Sequence, residues 1–294
     1  MSDLDRFEYP ALYDSASELS DSSQKSYLAL IRSEYAFLVL AAILSMDWSS
    51  RPIYFAIYVL ILLGSLSVLI GRNYWKPEQA WYRGRALAES IKTSCWRYCM
   101  RADPFGDVPT RQQAFAEFRE HLMDILKTNQ FIGDRLPPDS SANEQIPASM
   151  QSVRALPLEE RKAYYLEHRI QEQRAWYAKK AGYNKRASRR WSRIGIGAYA
   201  IAISLALARI VYPEWKLWPI EPVLVIAAAI VGWTQVKKFN ELASSYTLTA
   251  HEIGLIQGKM ASATSEAEFS EFVNDSEQAF SREHTQWVAR QQSQ

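Results

Sequence analysis

The residues here with the most chemical potential lie near the end of the chain, in Arg282-Glu283-His284, and earlier in His251-Glu252. Glutamate beside histidine suggests acid–base work or metal ligation. The spacing argues against both. Neighbours on a helix point about 100° apart, so Glu283 and His284 cannot share one ion, and neither can His251 and Glu252. A His/Glu site would form only if the two strings packed together. The four histidines, at 121, 168, 251 and 284, show no metal-ligand spacing, and no nucleophile elbow or phosphate loop is written in the sequence. Cys95 and Cys99, the only cysteines, lie four apart in a helical pattern. They read as small helix residues of a reducing compartment. The expectation is no catalysis, no metal and no cofactor. Arg282 and Glu283 would pair across a helix interface that Trp287 fills.

A second cluster is electrostatic. Lys179, Lys180, Lys185, Arg186, Arg189, Arg190 and Arg193 place seven cations in fifteen residues. A net charge of only +2 and a pI of about 8.4 are too mild to argue for nucleic acid, and no nucleic-acid partner is expected. The apolar run from Ile194 explains the cluster better, since cations flanking a membrane helix mark the cytoplasmic side and attract anionic headgroups. Lys237 and Lys238 complete this basic collar.

The elements that position these groups are organised around Pro52–Gly71, twenty residues without a charge. Such a helix rises ~30 Å, the hydrocarbon thickness of a bilayer. A shorter run, Tyr35–Met46, precedes it, joined by a polar turn with an interfacial Trp48. Two further apolar segments follow in the second half. The mean hydropathy of −0.24 requires long polar helices as the balance. The pattern predicts an all-α membrane protein of two repeated units, each a transmembrane hairpin plus long cytoplasmic helices, with four transmembrane helices in total. Residues 1–23 read as an irregular acidic terminus lacking a cleavable leader. The first unit covers 24–131, with spans near 33–48 and 52–71. A linker follows at 132–156. The second unit covers 157–294, with a charged helix to about residue 193 and spans near 194–212 and 217–235. The positive-inside rule places both termini in the cytoplasm. Polar residues in or beside the spans are functional suspects by default, namely Glu34, Ser65, Ser67, Arg209 and Glu221.

The halves share one plan, and each exit helix carries a signature. The first reads Trp81-Tyr82-x-x-Arg85-Ala86-x-Ala88-Glu89, continuing through Trp96, Met100 and Asp103-Pro104-Phe105. The second has Tyr246, Ala250-His251-Glu252-Ile253, Phe272-Val273, Ser276-Glu277 and Ser281-Arg282-Glu283-His284-Thr285-Gln286-Trp287. On these residues the chain resembles the SLATT family, the SMODS and SLOG-associating two-transmembrane effectors, over about 34–105 and 165–290. The resemblance implies an effector of bacterial conflict systems in the inner membrane. It would oligomerise into a pore or disrupt the bilayer when a nucleotide-signalling or sensor partner triggers it. Trp81, Arg85, Glu89, His251, Glu252, Arg282, Glu283, His284 and Trp287 would form its cytoplasmic interface. A membrane scaffold that recruits a partner without a pore is the other reading.

Overall fold

The structure, a computed structural model, describes residues 7–106, 108, 110–138 and 144–292, with side chains to Ser281 in the last helix. The described chain is helical, 84% of it, with no strand among the described residues. Among the described residues ten α-helices follow one another: α1 Ala11–Leu44, α2 Pro52–Trp75, α3 Pro77–Cys99, α4 Arg111–Thr128, α5 Ala148–Ala155, α6 Leu158–Tyr165, α7 Glu172–Val211, α8 Ile220–Lys237, α9 Phe239–Lys259 and α10 Glu266–Gln292. Four of them are long and apolar enough to cross a membrane, α1, α2, α7 and α8.

Two expectations need correction. The acidic stretch before residue 24 is helical from Ala11, directly after Pro10. Its small residues Ala16 and Ser20 are buried. Burial of that face, which composition does not show, outweighs the poor helix propensity of serine and aspartate. The expected linker holds a 3₁₀ turn at Gln130–Arg135 and helix α5, which buries Met150 and Val153. The charged helix of the second half runs unbroken from Leu158, as expected, and contains a π-helical turn, Leu166–Gln171, between α6 and α7.

The chain divides into two compact units. The first comprises Met1–Gln24, Glu78–Lys179 and Ser245–Gln294. Its core is built on α3, whose Leu87, Ile91 and Cys95 recur every fourth residue and are all but inaccessible. The amino-terminal part of α1 crosses α3 at Gly84. A Cβ built there would stand 3.0 Å from the Ser20 amide nitrogen and 3.1 Å from the Ala16 carbonyl. The two backbones meet so closely because all three residues are small.

The second unit, Lys25–Pro77 and Lys180–Ser244, holds the spans. Helix α1 has two packed seams there. Glu34, Phe37, Ala41 and Leu44 form the first; Ile31, Tyr35, Val39 and Ala42 form the second, which Met46 continues in the turn after the helix. The first seam meets α2, where Phe37 lies against Gly64 and Glu34 pairs with Arg72 at 3.1 Å. The second meets α8, where Tyr35 covers Gly232 and Arg32 lies 5.1 Å from the Trp233 ring. Helix α8 packs in turn on α7, with Ile230 against Gly195 and Trp191 near Trp233. The contacts therefore run α2–α1–α8–α7. Helix α2 buries no residue and is half-buried along one seam, Tyr54, Tyr58, Ile61, Ser65, Val68 and Arg72.

Candidate functional site

Within the first unit the π-turn presents Arg169 to α10 and α3. The Arg169 Nε donates to Glu277 Oε1 at 2.9 Å and its Nη2 to Oε2 at 2.6 Å. Tyr165, one turn earlier, donates its hydroxyl to the same Oε1 at 2.9 Å. Glu89 of α3 lies 3.6 Å from Arg169 Nη2, and the guanidinium rests 4.8 Å from the Phe280 ring. Arg169 is 1% exposed, Glu277 and Tyr165 not at all. A bidentate guanidinium–carboxylate pair is the geometry that best offsets the desolvation of two charges. Burial first, then the Glu277 carboxylate, pushes the Tyr165 phenol far up, so it stays a donor. Nearby, burial and then Arg169 lower Lys92, and burial raises the Cys95 thiol.

The π-turn has a geometric effect. Tyr165 and Tyr177 are both buried. In an unbroken α-helix, residues twelve apart differ in direction by about 120°. A π-turn takes up one surplus residue, so the pair instead differs by about 20°. From Tyr177 the inward face of α7 repeats as a heptad through Ala181, Asn184, Ser188, Trp191, Gly195, Ala198, Ala202 and Leu205, each buried or half-buried. The π-turn thus sets the rotational phase of α7 at Tyr177 relative to the Arg169–Glu277 pair.

Two more buried arginines precede it. Arg154 donates to the carbonyls of Tyr98, Phe105 at 3.0 Å and Gly106 at 2.8 Å. Arg161 donates to Leu156 at 3.0 Å and Met100 at 2.8 Å and pairs with Glu266. Both supply positive charge where α3 ends, the favourable place for a cation. Sequence reasoning missed all three arginines. Their signal was a charge at positions 154, 161 and 169, seven or eight apart, where the surrounding pattern asks for buried residues.

The expected site residues differ in their surroundings among the described residues. Glu89 reaches the buried pair. Trp81 stacks on Tyr82 at 4.5 Å, Arg85 and Glu252 are half-buried, and His251 is exposed. Arg282, Glu283, His284 and Trp287 lie outside the described side chains. Ser65 is on the packed seam of α2, whereas Ser67 is exposed and bonds the Leu63 carbonyl of its own helix at 2.8 Å. Arg209 and Glu221 are exposed. In the basic collar Lys179, Lys180, Lys185, Arg186, Arg189, Arg190 and Arg193 are exposed, and Lys237 and Lys238 half-buried. Ser94 and His121 form a hydroxyl–imidazole contact of 2.9 Å. No group of three His, Cys, Asp or Glu residues is placed to hold a metal among the described residues.

Two family models match the chain in tandem. Residues 10–162 match SMODS and SLOG-associating 2TM effector domain 3. Residues 165–287 match SMODS and SLOG-associating 2TM effector domain 1. No curated protein and no solved structure matches.

Proposed function

Since this chain belongs to the SMODS and SLOG-associating two-transmembrane effector family, with two such domains in tandem, we propose that it is a membrane effector that assembles into a pore. The reading places it in the bacterial inner membrane with both termini and the first unit in the cytoplasm. The basic collar then lies at the level of anionic headgroups, as the positive-inside rule asks. The observation that carries the reading is the packing of the spans: α2 is packed along one side only. One protomer with such an edge does not enclose a lumen, so assembly is required. A nucleotide-signalling or sensor partner would act through the first unit. No catalytic step is proposed.

A scaffold without a pore is favoured by one feature, the pair Leu248 and Leu255 on α9, 67% and 78% exposed and one heptad apart. Dye release decides between them. The protein is reconstituted in phosphatidylethanolamine–phosphatidylglycerol liposomes at rising protein-to-lipid ratio. A pore releases a small dye, retains a large one, and does so more steeply than in proportion to protein. Tight liposomes at every ratio, with insertion confirmed, would leave the scaffold.

A further inference from the structure

The two hairpins are the same object at nearly constant offset. Span 2 ends at Lys76 and span 4 at Lys238, both left-handed, with φ 45° and 48°. Aligning them places the packed seam of α2, Ile61, Ser65, Val68 and Arg72, on Val223, Ala227, Ile230 and Thr234 of α8, which are buried or half-buried. The first seam of α1, Glu34, Phe37, Ala41 and Leu44, falls likewise on Gly195, Ala198, Ala202 and Leu205 of α7. The equivalence extends to faces that only one repeat has covered. Helix α8 meets α1 at Gly232, and the residues in line with it, Pro222, Val225, Ala229 and Val236, are buried or half-buried; the counterpart of this stripe on α2 is Leu60, Leu63, Ser67, Ile70 and Tyr74, all exposed. In line with Tyr35, which meets Gly232, lie Val39, Ala42 and, just past the end of α1, Met46; the counterpart of that stripe on α7 is Ile196, Ala200, Ile203 and Leu207, all exposed.

The order α2–α1–α8–α7 is therefore second span, first span, second span, first span. The α1–α8 contact joins a first span to a second span of the other repeat. The chain ends in the two halves of that contact, α7 at one edge and α2 at the other. We propose that copies of this chain join head to tail, α7 of one against α2 of the next, reproducing the internal α1–α8 interface. An interface of unlike faces propagates, and in the plane of a membrane it closes into a ring when the rotation per copy permits. The occupant is a second copy because the chain already makes the same contact internally, Tyr35 of α1 on Gly232 of α8. Lipid alone on these faces is the competing outcome. The proposal deepens the assembly on which the pore reading rests.

Cross-linking tests it. Gly232 and Tyr35 are in contact, and their counterparts are Ile70 and Ile196, 58% and 70% exposed. The native thiols Cys95 and Cys99 are fully buried and stay silent. Full-length chain bearing both Ile70→Cys and Ile196→Cys, in liposomes under copper–phenanthroline, should give a ladder of dimer, trimer and higher bands. Each single variant should stay monomeric, because unlike faces never bring two identical residues together. Adding Ser67→Trp, in the middle of the α2 stripe, should weaken the ladder by about tenfold, a shift of ~1.4 kcal/mol. Dimers from either single variant would mean a like-with-like interface and overturn the proposal, as would monomer from the double variant. The readout is independent of leakage: a ladder in tight liposomes sinks the pore and keeps the interface, and leakage without a ladder does the reverse.

Discussion

The ring of Tyr35 on α1 occupies the space above Gly232 on α8, so that a Cβ built on the glycine would stand 3.0 Å from the phenol Cζ and closer still to its oxygen. This contact joins the two repeats inside the membrane-spanning unit. Gly232→Ala should lower stability by ~1–2 kcal/mol through overpacking. Tyr35→Phe in the same chain removes the nearest atom and should restore most of the loss. A double-mutant cycle by thermal unfolding in micelles measures it; additive effects would show that the two residues do not meet.

The Arg169–Glu277 pair is inaccessible to solvent on both sides. Arg169→Ala or Glu277→Ala alone should cost ~3–5 kcal/mol, since each leaves a charge buried without its partner. Arg169→Met with Glu277→Leu should cost far less than the sum, because an apolar pair of similar volume carries no desolvation. Denaturant unfolding of the three variants checks this.

The surplus residue of the π-turn gives a prediction about chain length. Deleting Glu167, which is exposed, should convert the turn to regular α-helix and keep Tyr177 facing inward. The midpoint of unfolding should move by less than the ~4 °C that about 1 kcal/mol gives. Inserting one alanine at the same place turns Tyr177 away from the core of the first unit by about 100° and should collapse the packing there. Equal damage from both would deny the π-turn its role in phasing.

His121, half-buried against Ser94 and Phe105, is shifted down by burial and then by Arg97. The folded protein thus takes up this proton at lower pH than the unfolded chain does. Its contribution to stability is complete above the ordinary histidine value of about 6.5 and is lost as pH falls through the depressed one. The melting temperature of the wild type should drop between neutral and mildly acidic pH more steeply than that of His121→Asn. Parallel profiles would remove His121 from the account.

The spans were legible because an uncharged run such as Pro52–Gly71 has one physical explanation, and the exit signatures named the family. The helical start at Ala11 was not. Its serines and aspartates argue for loop, and only contact with Gly84, more than sixty positions away, makes their small size an advantage. The π-turn was invisible for a related reason. Its cause is that Tyr165, Arg169 and Tyr177 must all face inward, which is a property of the packed partners. The serines of α2 looked equivalent in sequence, yet one lies on the packed seam and the other on the open face. A pattern of polarity cannot tell protein from lipid as neighbour, since both are apolar.

Lys76 and Lys238 leave their spans in a left-handed conformation that glycine adopts freely and that costs another L-residue about 1 kcal/mol or more. The same residue type stands at the same elbow once in each half, so each hairpin turns out of its second span in the same way. A glycine at either elbow would relieve that backbone cost but also remove a cation from the end of a span, where it complements the helix dipole.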